Sequence, residues 1–110
     1  MLKHKEITDN IVVYLKGRLD VHLSTEVEKE INDIIQQFPD KNILVNLDDV
    51  EYMSSSGLRV LVASMRILKA NDKELKLCNL NPAVKKVFEV VELMDMFDIY
   101  DTEADALAGG

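Results

Sequence analysis

The sequence predicts an α/β domain: a small mixed, mostly parallel β-sheet of four to five strands, with three to four helices packed largely on one face. Segments with strand periodicity alternate with helical segments in the order β-β-α-β-α-β-α-β-α, and strands separated by helices pair in parallel through right-handed crossovers. The main strands have one apolar and one mixed face, whereas strands covered on both faces would be apolar throughout. This favours sequential strand order over a doubly wound sheet. A length of 110 residues fits one domain over residues 1–110.

The first two predicted strands lie before residue 18. Residues 5–8 form a short strand, and the turn signal Asp9-Asn10 separates it from the next one. Gly17 ends the second strand, whose apolar face is formed by Ile11, Val13 and Leu15.

The first helix follows a predicted loop over residues 18–23. Its N-cap is Ser24 or Thr25, because Thr25 has capping-box spacing to Glu28. Pro39-Asp40 stops the helix, and its buried stripe at helical spacing is Val27, Ile31, Ile34, Ile35 and Phe38.

A buried strand, a triplet of serines and an amphipathic helix come next. The strand has an inner face of Ile43, Val45 and Leu47. Residues 48–53 then lead to Ser54-Ser55-Ser56, with Asp48 and Asp49 as turn residues. The helix after Gly57 has an apolar stripe of Leu58, Leu61, Val62, Met65 and Leu68.

The last third of the chain repeats the alternation. A strand at residues 75–78 precedes Asn81-Pro82, a strong helix start because Asn is a good N-cap and Pro suits the first helical position. A final strand is predicted over residues 97–100, and Thr102 with Asp105 opens a short terminal helix. The stripe of the helix after Pro82 is Val84, Val87, Phe88 and Val91.

Composition excludes several function classes. The formal net charge of −7 argues against a nucleic-acid surface, which needs clustered Lys and Arg. No apolar run approaches the ~20 residues of a membrane span, and the N-terminus lacks an apolar signal-peptide core. The single cysteine, Cys78, fits a reducing cytosol. We therefore expect a cytoplasmic monomer with no membrane partner, no cofactor and no metal site.

The serine triplet sits where a strand becomes a helix, and loops at this position in α/β folds often carry function. Because the carboxyl ends of parallel strands lie at one edge of a sheet, Asp20 and the serines should be neighbours on one surface. One alternative is a catalytic serine with His22 as base, but neither a Gly-x-Ser-x-Gly motif nor a Gly-rich oxyanion loop is present. A second alternative is a metal or aspartyl-phosphate site formed by Asp48 and Asp49 with Glu51. The separate earlier acidic pair and the later lysine of receiver domains are not evident.

Two alternatives remain open from the residues alone. One serine, Ser55 or Ser56, can act purely as a helix cap. A serine can instead be a phosphorylation switch, because a phosphate at a helix start meets free N–H groups and the positive end of the helix dipole. On a partner-binding surface the added charge would break the complex.

Three segments, in order along nearly the whole chain, resemble the STAS domain family and within it the bacterial anti-sigma factor antagonists. They are Gly17-Arg18-Leu19-Asp20, the core Leu47 to Leu58, and Leu80 to Phe88. The resemblance implies a non-enzymatic protein whose unphosphorylated form binds an anti-sigma factor serine kinase and releases a sigma factor. It also implies that phosphorylation by the kinase ends binding and that a serine/threonine phosphatase reverses it.

The family loop usually reads Met-Asp-Ser-Ser/Thr-Gly, which aligns with Met53 to Gly57 and makes Ser55 the phosphoacceptor. Ser54 stands where the family has Asp, so one negative charge beside the acceptor is missing. The partner-binding residues implied are Asp20, Ser54, Ser55, Ser56 and Gly57. A STAS module in a stress-sensing scaffold or a lipid-transport accessory complex is the alternative function.

Overall fold

A five-stranded sheet in sequential order, β1-β2-β3-β4-β5, forms the centre of the computed structural model, which describes residues 2–109. The first two strands pair antiparallel and the others pair in parallel. The strands are β1 (Lys3–Ile7), β2 (Asn10–Leu19), β3 (Asn42–Met53), β4 (Leu75–Cys78) and β5 (Asp98–Tyr100). The helices are α1 (Val21–Gln37), α2 (Ser55–Ala70), α3 (Pro82–Val90) and α4 (Glu103–Ala108), with a 3₁₀ turn at Met94–Met96.

The three longer helices cover one face of this sheet, and the short α4 packs on the other. The main core joins the inner face of β3 to stripes on α1, α2 and α3, including the fully buried Ile31, Leu61 and Phe88. A second, smaller cluster on the other face contains Val12 and Ala106. The predicted fold class, the sequential strand order and the placement of the helices are therefore confirmed.

Two of the predicted helix starts are confirmed in atomic detail. The side chain of Asn81 accepts a hydrogen bond from the backbone N–H of Val84 at 2.8 Å, and Pro82 is the first residue of α3. Thr102 caps α4 by accepting from Asp105 N–H at 3.1 Å. These caps satisfy backbone donors that have no partner within the helix.

The predicted start of α1 is wrong. Gly17 does not end β2, because its φ of +87° lets the strand continue through a register shift to Leu19. The helix begins at Val21, and its N-cap is Asp20 rather than Ser24 or Thr25. The carboxylate of Asp20 accepts from Leu23 N–H at 3.0 Å, which is the bond that Asp, like Ser, makes readily at an N-cap.

The predicted length of β3 is also wrong. The strand runs without interruption to Met53, so Asp48 and Asp49 are exposed strand residues and not turn residues. Pairing with β2 extends, with two register shifts, from Asn10 opposite Asn42 to Leu19 opposite Met53. Val50 and Met53 are buried, and this extra burial favours the strand over a loop.

A polar network fixes α4 to the sheet. The Oε1 atom of Glu103 accepts from the Tyr14 hydroxyl at 2.8 Å and from Asn46 Nδ2 at 3.1 Å, and Oε2 lies 3.0 Å from Lys5 Nζ. Burial raises the pKa of Glu103, but these three partners outweigh it and leave the pKa below its usual value. Under the same helix, burial raises the pKa of the Cys78 thiol to about 12, so this cysteine stays neutral.

We predict that Glu103→Ala lowers the free energy of unfolding by about 1–3 kcal/mol at pH 7, because it leaves Tyr14 and Asn46 without their acceptor. A carboxyl with a lowered folded-state pKa stabilises the fold above its unfolded pKa of about 4.3. This contribution disappears as the pH falls through the folded-state value. Urea unfolding at pH 7 and pH 3 measures both effects.

Glu89→Ala is the matched control, because it removes an exposed carboxylate of α3 with no hydrogen bond or ion pair within residues 2–109. It should change stability by less than about 0.5 kcal/mol at either pH. Equal effects of the two substitutions at pH 7 would contradict a structural role for Glu103.

Candidate functional site

The carboxyl ends of β2 and β3 are tied together at the start of α2. The carbonyl oxygen of Leu19 accepts two hydrogen bonds from Ser54, one from its backbone N–H at 3.0 Å and one from its hydroxyl at 2.6 Å. Asp20 follows Leu19 directly in the chain. The structure therefore brings Asp20 next to the serine triplet, as the topology predicts.

The three serines have different environments. Ser54 is the N-cap of α2: its half-buried hydroxyl accepts from Gly57 N–H at 3.3 Å while donating to Leu19. Ser55, the first residue of α2, is exposed, and its hydroxyl makes no hydrogen bond within residues 2–109. Ser56 is half-buried in a groove between α1 and α2.

The cap assignment corrects the expectation that Ser55 or Ser56 caps the helix. It also explains physically how a serine fits the position of the usual aspartate. Asp and Ser both accept from the N–H groups of a first helical turn. Only the serine hydroxyl can also donate, and Ser54 uses this donor on the Leu19 carbonyl.

Gly57 allows the helix start to approach the strands closely. A Cβ atom there would lie 3.0 Å from the Cβ of Leu19 and 3.1 Å from the Cγ of Met53, closer than nearly all real Cβ contacts. Gly57 is itself buried. Its contribution to the candidate surface is therefore to set the position of the serines.

Residues that the sequence reasoning missed border the same sheet edge. Val21 is 63% exposed, and Tyr52 is 42% exposed with the Arg18 guanidinium 4.7 Å from its ring centroid. Exposed aromatic, arginine and apolar side chains are typical anchors of protein interfaces. The sequence signal was the large apolar Val21 between Asp20 and His22, which the assignment of a loop over residues 18–23 concealed.

The arrangement does not form a serine hydrolase site. His22 is exposed on α1, and the Ser54 hydroxyl donates to a carbonyl. His4 bonds to the carbonyl of Leu2 at 2.9 Å and contacts Phe38. Between residues 2 and 109 no serine donates to a histidine.

The described part of the chain, residues 2–109, has no group of three or more His, Cys, Asp or Glu side chains arranged to hold a metal ion. In the same range, no helix combines the length and the apolar character that crossing a bilayer requires.

Comparison with known proteins places this geometry in a family. The model of the STAS domain matches residues 2–106. The chain is 31% identical to an anti-sigma F factor antagonist of Paenibacillus polymyxa over 97 residues, which are 88% of this chain and 83% of the relative. The chain belongs to the anti-sigma factor antagonists of the STAS domain family. These are regulatory proteins without enzymatic activity.

Other antagonists support the same membership. An anti-sigma-B factor antagonist of Staphylococcus aureus is 34% identical over 87 residues, covering 79% of this chain and 80% of the relative. The unphosphorylated form of the antagonist SpoIIAA superposes with a TM-score of 0.79 at 28% identity, covering 100% of this chain and 98% of that one. The phosphorylated form of SpoIIAA, a Bacillus cell fate determinant, gives 0.72 at 27% identity over 98% and 97% of the chains.

We predict that Ser54→Ala lowers the free energy of unfolding by about 1–2 kcal/mol, because it removes the cap of α2 and the hydroxyl bond to Leu19. Ser54→Asp should lie between the wild type and Ser54→Ala, since it keeps the cap but cannot donate. Urea unfolding at pH 7 measures all three. Ser55→Ala is the control, and its free energy of unfolding should stay within about 0.5 kcal/mol of the wild type. If Ser55→Ala lost as much stability as Ser54→Ala, the assignment of Ser54 as the cap would be contradicted.

Proposed function

We propose that this antagonist binds an anti-sigma factor that is a serine kinase, and so releases a sigma factor in the cytoplasm. The binding surface consists of Asp20 and the start of α2, where the buried Gly57 sets the position of Ser54, Ser55 and Ser56. The names of the relatives, antagonists of anti-sigma F and anti-sigma-B factors, support the partner class. The active species is a monomer in which residues 1–110 form one domain.

We further propose that phosphorylation of Ser55 switches binding off. The supporting observation is the contrast among the serines: Ser55 is exposed and unbonded within residues 2–109, whereas Ser54 is engaged as a cap and Ser56 is half-buried. A kinase must reach its acceptor hydroxyl, and only an accessible hydroxyl meets that requirement without opening the helix start.

The switch consists of two reactions, phosphorylation and dephosphorylation. In the first, the Ser55 oxygen bonds to the γ-phosphorus of ATP, the bond to the ADP oxygen breaks, and a base of the kinase takes the hydroxyl proton. In the second, a serine/threonine phosphatase uses water to split the phosphoester into serine and inorganic phosphate. The phosphorylated form carries about −1.5 to −2 additional charges at pH 7.

The position of Ser55 suits a switch that leaves the fold intact. The free N–H groups and the dipole of α2 favour an anion at the first residue of the helix. The same anion would be next to the Ser54 cap, on the surface proposed to bind the kinase. Desolvating a phosphate there costs several kcal/mol, which is enough to dissociate a complex.

We predict that Ser55→Asp binds the cognate anti-sigma factor kinase at least about tenfold more weakly than Ser55→Asn, as measured by isothermal titration calorimetry. The two variants have side chains of the same size and differ in charge. Both should melt close to the wild type, because Ser55 is exposed. Equal affinities of Asp and Asn at position 55 would rule out a charge switch at this residue.

A further inference from the structure

Arg59 is one helical turn beyond Ser55 on α2. Residues four apart lie on the same helix face, and side chains in a helix lean toward its N-terminus. These tendencies direct the side chain of Arg59 back toward the first turn, and Arg59 lines the same groove as Ser56. Both Ser55 and Arg59 are exposed.

Arg59 is an exposed residue of α2. Within residues 2–109 its guanidinium makes no ion pair, hydrogen bond or ring contact, in contrast to Arg18, which stacks on Tyr52. The N–H donors of Arg59 are therefore available to an anion.

A groove of about 170 Å³ lies between α1 and α2. Its lining residues are Val21, Ser24, Thr25, Glu28, Ser56, Arg59 and Val60. Ser56 lines this groove, whereas Ser55, the residue before it in the chain, is outside the lining. Ser24 is only 3% exposed, yet its hydroxyl has no hydrogen-bond partner. Because a buried hydroxyl without a partner is costly, this wall of the groove has a donor that an oxyanion would satisfy.

We propose that Arg59 binds the phosphoryl group of phosphorylated Ser55 and that the Ser24 hydroxyl is a second donor to it. This inference rests on the proposed phosphorylation of Ser55. The ligand is a phosphomonoester dianion, which suits the two parallel N–H donors of a guanidinium. The carboxylates of Glu28 and Asp20, in the neighbouring segment, would repel the phosphate on Ser55. Arg59 is the cation that offsets this repulsion.

The test places phosphoserine at position 55 by genetic encoding, so that it does not depend on a kinase. Titration by ³¹P NMR gives the second pKa of the phosphate, about 6 for a free phosphoserine. Arg59→Met should raise this pKa by roughly half a unit relative to the wild-type background, because it removes the cation that favours the dianion. The difference should shrink at high salt.

Arg66→Met is the matched control: it removes the same charge from the same exposed helix surface two turns further on, and should leave the pKa unchanged. An equal pKa in the wild type and Arg59→Met would overturn the pairing. Phosphoserine should also raise the melting temperature more in the wild type than in Arg59→Met or Ser24→Ala. An equal gain in Ser24→Ala would remove Ser24 from the site.

The two proposals fail in different ways. A kinase that leaves Ser55 unmodified contradicts the proposed function but does not affect the encoded phosphoserine measurement. A kinase that modifies Ser55, together with a pKa that is independent of Arg59, leaves the switch standing and removes Arg59 from it.

Discussion

The two hydrogen bonds from Ser54 to the Leu19 carbonyl are the constraint on which the candidate site depends. They join the end of β2 to the start of α2 at 3.0 and 2.6 Å, and the absence of a side chain at Gly57 permits the approach. Because Ser54 also caps α2, the same residue fixes the direction in which the helix leaves the sheet. Ser55 follows Ser54 and is the first residue of α2. Because Ser54 is bonded to the strand, Ser55 begins the helix on the side that faces away from the strands, and it is exposed.

A fixed helix start also explains why a charge can act here without unfolding the protein. The first turn of α2 supplies backbone donors whose dipole favours an anion, while Ser54 holds the strand and helix together. The same edge carries Asp20, Val21 and Tyr52, which combine negative charge with exposed apolar and aromatic surface. Exposed apolar and aromatic side chains suit protein binding. Under the proposed switch, a phosphate added within this surface changes the affinity for the partner rather than the folding.

Periodicity and cap chemistry were sufficient to predict the sheet order, the helices on one face and the starts of α3 and α4. Element ends were harder to predict. Gly17 is both a common strand terminator and a residue that permits a bulge. β3 continues through Asp48 and Asp49 although both are exposed, so that the alternation of buried and exposed side chains breaks inside the strand. Ser54 was misread for a similar reason: three adjacent serines have equal cap propensity, and only the position of the Leu19 carbonyl distinguishes them. The bond between Tyr14 and Glu103 spans 89 residues and has no local signal at all.

Peptide mapping of the unphosphorylated protein after incubation with its cognate kinase and ATP tests the central claim most directly. Mass spectrometry should find one phosphate, on Ser55, and none in Ser55→Ala. A phosphate on Ser54 or Ser56, or unchanged phosphorylation of Ser55→Ala, would contradict the division of the triplet into a cap, a groove residue and an accessible acceptor.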